Sequence, residues 1–249
     1  MKTADILGIR FDAMELGEAY ETLRVFLRGG SNRVVVTPNP EGVMRARRDE
    51  NFKQALLSAD LCLPDGIGIV FASRILGRRV PRKLGGCDTT LGFIDSVKDG
   101  GVKIFLLGAA KGVAEAAGKK LEADYTGAIV VGARDGFFTE ADESGIVGEI
   151  NSSGAEILII GMGMPKQELF AAKHSQALQT RITFCLGGTI DVLAGKKKRP
   201  PPFMIRVGLE WLGYLIYEPH RIKRMADLPR FIFATSREAI KNKFGKPNE

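Results

Sequence analysis

Apolar residues in this chain gather in short unbroken runs rather than in strict alternation with polar ones. Val34–Val36, Leu61–Leu63, Ile104–Leu107, Ala128–Val131, Ile157–Ile160 and Ile182–Leu186 are apolar almost throughout. Runs of that kind predict strands buried on both faces, as in a parallel sheet covered by helices. Between them, amphipathic stretches predict helices over residues 41–57, 67–76, 89–98, 112–123, 141–151 and 167–174. Thr139, with Asp142 three residues on, is a candidate N-cap for the fifth of these. Strand–helix alternation predicts an α/β fold: a doubly wound, mostly parallel sheet with helices on both faces. Proline fits neither a helix interior nor a central strand, so Pro200-Pro201-Pro202 marks a hinge. It divides an α/β core, residues 1–195, from a basic, amphipathic and helical C-terminal appendage, residues 196–249.

Ligands of such folds bind outside the carboxyl ends of the strands, so the loops there carry the candidate chemistry. They are Thr37-Pro38-Asn39-Pro40-Glu41, Pro64-Asp65-Gly66-Ile67-Gly68, Leu107-Gly108-Ala109, Gly161-Met162-Gly163-Met164-Pro165-Lys166-Gln167-Glu168 and Gly187-Gly188-Thr189-Ile190-Asp191. Glycines in these loops allow backbone N–H groups to approach a phosphate. Each segment also has a plain structural reading. Gly161 and Gly163 fit a simple strand–helix turn, Asp65 fits a helix N-cap, and Thr37 and Asn39 fit turn formers around Pro38 and Pro40. Lys166 stands where a dinucleotide fingerprint needs its third glycine, and no Walker A lysine motif occurs.

Charge alters the picture at one point. Residues 1–195 carry 23 Lys/Arg against 24 Asp/Glu, whereas residues 196–249 carry 13 against 5, so the net +7 belongs to the appendage. It opens with Lys196-Lys197-Lys198-Arg199, a run that reads alone as a solvated face. Apolar residues around 203–216, and Leu228, Phe231, Ile232, Ala239 and Ile240, interleave with that charge. A neutral body with a basic, apolar tail predicts a peripheral protein on an anionic membrane surface. No run of about 18 apolar residues predicts a spanning helix, and the N-terminal residues have no signal-peptide pattern. Cys62, Cys87 and Cys185 are few and scattered, as reduced cysteines of a cytoplasmic protein would be. Only His174 and His220 are histidines, and no carboxylates cluster at ligand spacing, so no metal and no other cofactor is expected. One tryptophan and no RNA-binding motif leave nucleic acid a poor partner.

Taken in order, the Thr37–Glu41, Pro64–Gly68, Gly161–Glu168 and Gly187–Gly195 segments, Glu210-Trp211 and Glu218-Pro219-x-Arg221 resemble the WecG/TagA/CpsF family, glycosyltransferase family 26. The resemblance covers residues 5 to 235. It implies an inverting, metal-independent transfer from a UDP-sugar donor to an undecaprenyl-diphosphate-linked acceptor on the inner face of the cell membrane. In the best-known branch N-acetylmannosamine goes to the 4-hydroxyl of GlcNAc, making the linkage unit of wall teichoic acid. Other branches use UDP-ManNAcA, UDP-glucose or UDP-glucuronate for surface polysaccharides.

The resemblance also implies roles. Asp65 becomes the general base for the acceptor hydroxyl, and Arg221 and Arg224 become the cations for the departing diphosphate. Thr37, Asn39, Lys83, Gly108, Gly161, Gly163, Gln167 and Asp191 become substrate-binding residues, Asp191 toward the nucleoside. Two departures stand out. Relatives commonly carry Tyr-Arg where this chain has Gly213-Tyr214, and arginine where Lys83 stands, which keeps the charge but loses the fork. An apolar tail packed between subunits would make the off-membrane form a self-inhibited homo-oligomer.

Overall fold

The chain begins with an antiparallel hairpin, β1 (Thr3–Ile6) and β2 (Ile9–Asp12), in a computed structural model that describes residues 2–206, 208–219 and 226–244. The predicted apolar runs then form one six-stranded parallel sheet. Its strands are β3 (Arg33–Val36), β4 (Leu61–Cys62), β5 (Val102–Gly108), β6 (Ala128–Arg134), β7 (Ile157–Gly161) and β8 (Ile182–Cys185). They lie in the order β4-β3-β8-β7-β5-β6.

Alternate residues of these strands feed two cores, which is why the runs are apolar throughout. Val34, Val36, Phe105, Leu107, Leu158 and Ile160 belong to one. Val35, Ile104, Leu106, Ile157, Ile159 and Phe184 belong to the other. The second core is covered by α1 (Leu16–Arg28), α5 (Gly86–Ser96), α6 (Val113–Asp124) and α9 (Thr189–Leu193). The hairpin covers the first, with α2 (Pro40–Ala46), α3 (Glu50–Leu57), α4 (Ile67–Ile75), α7 (Glu143–Ser152) and α8 (Lys166–His174). The expected doubly wound α/β architecture is therefore present, with helices on both faces.

Some elements differ from expectation. The helix expected over 41–57 is two helices, because Asp49 accepts a hydrogen bond from Phe52 N at 3.0 Å and caps α3 afresh. The hairpin and α1 precede the first predicted strand. Leu7 and Gly8 take left-handed φ of 55° and 87°, a two-residue turn that Asn-Gly would have advertised and Leu-Gly does not. Thr139 and Asp142 form the expected capping box, on a 3₁₀ turn (Glu140–Asp142) that leads into α7.

The appendage contains α10 (Pro202–Arg206), α11 (Glu210–Tyr217) and α12 (Asp227–Phe244). A Cβ at Gly213 would lie 2.6 Å from Pro200, so glycine allows α11 to sit against the proline run. The long α12 returns to the first core, where Phe231 is 2% exposed and Thr235 is buried. Arg48 donates two hydrogen bonds to Asp227, at 2.8 and 2.7 Å, fixing the start of α12 to the segment after α2. Phe203, Trp211, Ile216, Phe233 and Phe244 stay exposed on the three appendage helices. No helix among the described residues is long and apolar enough to cross a membrane.

Candidate functional site

The loops leaving the carboxyl ends of the strands enclose one cleft of about 700 Å³. Thr37, at the end of β3, lines it. A Cβ at Gly86 would stand 2.6 Å from Thr37 Oγ1 and 2.8 Å from Leu186 Cδ2, so only glycine lets α5 start so close. Asn39 also lines the cleft, and its Oδ1 accepts a hydrogen bond from Gly42 N at 2.9 Å, capping α2. Pro40 at the first helical position completes a standard helix start. The turn-forming reading of Asn39 thus holds, in a residue that also lines the cleft.

Asp65 stands in the loop between β4 and α4 and lines the same cleft. It does not cap α4: the N-cap of that helix is Gly66, at φ 86°, and no side chain caps it. Burial pushes the Asp65 carboxyl up to about 7, the nearby Glu210 carboxylate adds to the rise, and Lys83 and the Gly86 backbone N–H oppose it. A carboxyl poised near neutrality can accept a proton at working pH.

The opposite wall comes from β5 and β7. A Cβ at Gly108 would lie 2.5 Å from the backbone of Gly161, and one at Gly161 would lie 2.8 Å from Ile190. These glycines let two strand ends and α9 converge beneath the cleft. Gly161 and Gly163 line it, the latter with a left-handed φ of 81°, whereas Gly108 is not among its lining residues. Gln167 is buried, lines the cleft, accepts from Gly163 N at 3.1 Å, and donates to Glu168 Oε1 at 2.8 Å. Glu168 is pushed up to about 7 by burial, against the hydrogen bond from Gln167. Lys166 donates to Gly136 O at 2.8 Å and so holds the loop after β6 over the cleft rim.

Asp191 on α9 lines the cleft and accepts from Lys197 Nζ at 2.8 Å. Arg199, also in the lining, is ion-paired with Asp88 at the start of α5. Lys83 does not line this cleft. It forms an ion pair with Glu210 at 3.0 Å and borders a neighbouring, smaller cavity of about 320 Å³. Asn39, Glu41, Asp65, Glu210 and Tyr214 are common to both spaces. Arg221 and Arg224 lie outside the described residues.

Several lining residues escaped the sequence reading. Asp88, Glu168, Lys197, Arg199, Glu210 and Tyr214 come from helix starts or from the tail. For Glu168 and Glu210 the signal was available, since both stand in segments already singled out, Gly161–Glu168 and Glu210-Trp211.

The model of the glycosyl transferase WecG/TagA/CpsF family matches residues 4–245. The chain belongs to this family. It is 31% identical over 235 residues to a protein of Bacillus spizizenii, covering 94% of this chain and 91% of the relative. A Bacillus subtilis protein is 32% identical over 210 residues, 84% of this chain and 81% of the relative. One from Staphylococcus aureus is 29% identical over 244 residues, 97% and 95% of the two chains. All three relatives are named N-acetylglucosaminyldiphosphoundecaprenol N-acetyl-beta-D-mannosaminyltransferase.

Proposed function

We propose that this protein transfers N-acetylmannosamine from UDP-ManNAc to the 4-hydroxyl of GlcNAc on undecaprenyl diphosphate, with inversion. The names of the three relatives support the transferred sugar and the lipid-linked acceptor. The observation that carries the reading is Asp65, a carboxyl poised near pH 7 in a cleft lined by Thr37, Asn39 and Gln167. In the mechanism Asp65 accepts the acceptor hydroxyl proton as oxygen attacks the anomeric carbon from the face opposite the diphosphate. Thr37, Asn39 and Gln167 supply polar groups that fix the two sugars, and Asp191 lies toward the nucleoside. Negative charge that develops on the departing UDP is met by protein cations rather than by a metal ion. Arg221 and Arg224 belong to that set by family resemblance, and Lys83 serves Asp65 and Glu210 instead of a phosphate.

The acceptor keeps its diphosphate at the headgroup level of the bilayer, so the enzyme works at the membrane surface. Phe203, Trp211, Ile216, Phe233 and Phe244, exposed among the basic residues of the appendage, support docking there. Measuring UDP release from UDP-ManNAc, UDP-ManNAcA, UDP-glucose and UDP-glucuronate, with a lipid-diphosphate GlcNAc acceptor, tests the donor. Selective turnover of UDP-ManNAc is expected. Preference for one of the other three donors would replace the transferred sugar while keeping the fold and base.

A further inference from the structure

The run at 196–199 is a solvated face only in part: Lys196 and Lys198 are exposed, whereas Lys197 and Arg199 line the cleft. The backbone N–H groups of Lys196 and Lys197 both donate to Asp191 O, at 2.9 and 3.1 Å, so the segment wraps around the end of α9. Two carboxylates then hold the side chains, Asp191 for Lys197 at 2.8 Å and Asp88 for Arg199. Directly beyond Arg199, Pro200 is pinned against α11 at Gly213. Both cations are therefore fixed in place before any ligand arrives.

The charge inventory of the cleft says what they are for. Among its described lining residues, Glu41, Asp65, Asp88, Glu168, Asp191 and Glu210 are acidic, and only Lys166, Lys197 and Arg199 are basic. Lys166 is committed to the carbonyls of Gly136 and Phe138. Among these residues the cations that a polyanion entering the cleft can meet are Lys197 and Arg199, each held beside one carboxylate. A guanidinium has five N–H donors in a planar fork, so Asp88 can hold one edge while another meets phosphate oxygens.

We propose that Arg199, with Lys197 beside it, binds the diphosphate of the nucleotide donor and stabilises it as it leaves. This rests on the nucleotide-sugar reading above, and it adds to the donor site two residues that neither the sequence motifs nor the relatives' names assign.

Titration calorimetry with UDP and with uridine separates the two ideas. The parent protein should bind UDP more tightly than uridine. Arg199→Ala should weaken UDP roughly ten- to hundred-fold, the scale of hydrogen bonds to a charged group, and leave uridine unchanged. Unchanged uridine binding also shows that the variant is folded. Arg199→Lys, which keeps the charge without the fork, should recover part of the loss. UDP affinity within two-fold of the parent in Arg199→Ala would overturn the assignment, as would an equal loss for UDP and uridine. A parent that binds neither compound would instead overturn the nucleotide-donor reading, and this proposal with it.

Discussion

Lys83 Nζ stands 3.0 Å from Glu210 Oε2, joining the segment before α5 to the first turn of α11 across 127 positions of sequence. Both side chains act on Asp65: the Glu210 charge raises its proton affinity and the Lys83 charge lowers it, while burial is the largest influence. The appendage thus helps to set the acidity of the candidate base. The core supplies Asp65, and the tail supplies one of the charges that tune it.

A pH profile should expose that tuning. Asp65 must be ionised to accept a proton, so kcat/KM should rise with pH through an acid limb near 7. Glu210→Gln removes a negative neighbour, favours the ionised form, and should move the limb to lower pH. Lys83→Met removes a positive neighbour and should move it to higher pH. A limb that stays put in both variants would contradict the coupling.

Stability should move against activity at the same residue. The folded Asp65 carboxyl is raised above its ordinary 3.8, so the unfolded chain gives up this proton first. Ionising Asp65 therefore costs folding free energy as pH climbs from about 4 to about 7. Asp65→Asn removes that cost, and its gain in Tm over the parent should be larger at pH 8 than at pH 4. A gain independent of pH, read by calorimetry, would contradict the raised pKa of Asp65.

Much of this was legible in the chain. Six apolar runs gave six strands, because a sheet covered on both faces leaves no polar side to interrupt them. Thr37, Asn39 and Asp65 in loops, and Gln167 and Asp191 in the first turns of helices, were legible as strand-end residues because the strand ends of a doubly wound sheet converge. What stayed hidden depends on tertiary pairing. Nothing local marks Glu210 as the partner of Lys83, or Asp88 as the partner that draws Arg199 inward. Phe231 likewise read as part of an insertion surface, whereas the structure spends it in the core.

That last point predicts a cost. Phe231→Ala should destabilise the protein by about 3–5 kcal/mol, as other buried phenylalanine truncations do. Chemical denaturation would show a lower midpoint with an unchanged slope. A loss under about 1 kcal/mol would mean that α12 is detached from the body in solution.

Leaving-group stabilisation by side chains implies indifference to chelators. EDTA should leave the rate of UDP release unchanged. Loss of activity restored by Mg²⁺ or Mn²⁺ would replace the cation-only account of the diphosphate.

The most direct test is turnover by Asp65→Asn with UDP-ManNAc and a lipid-diphosphate GlcNAc acceptor, measured beside UDP affinity. The base assignment predicts a fall in kcat of about 10²–10⁴-fold, with UDP binding close to that of the parent. Turnover within a few-fold of the parent, at unchanged UDP affinity, would contradict it and return Asp65 to a structural role.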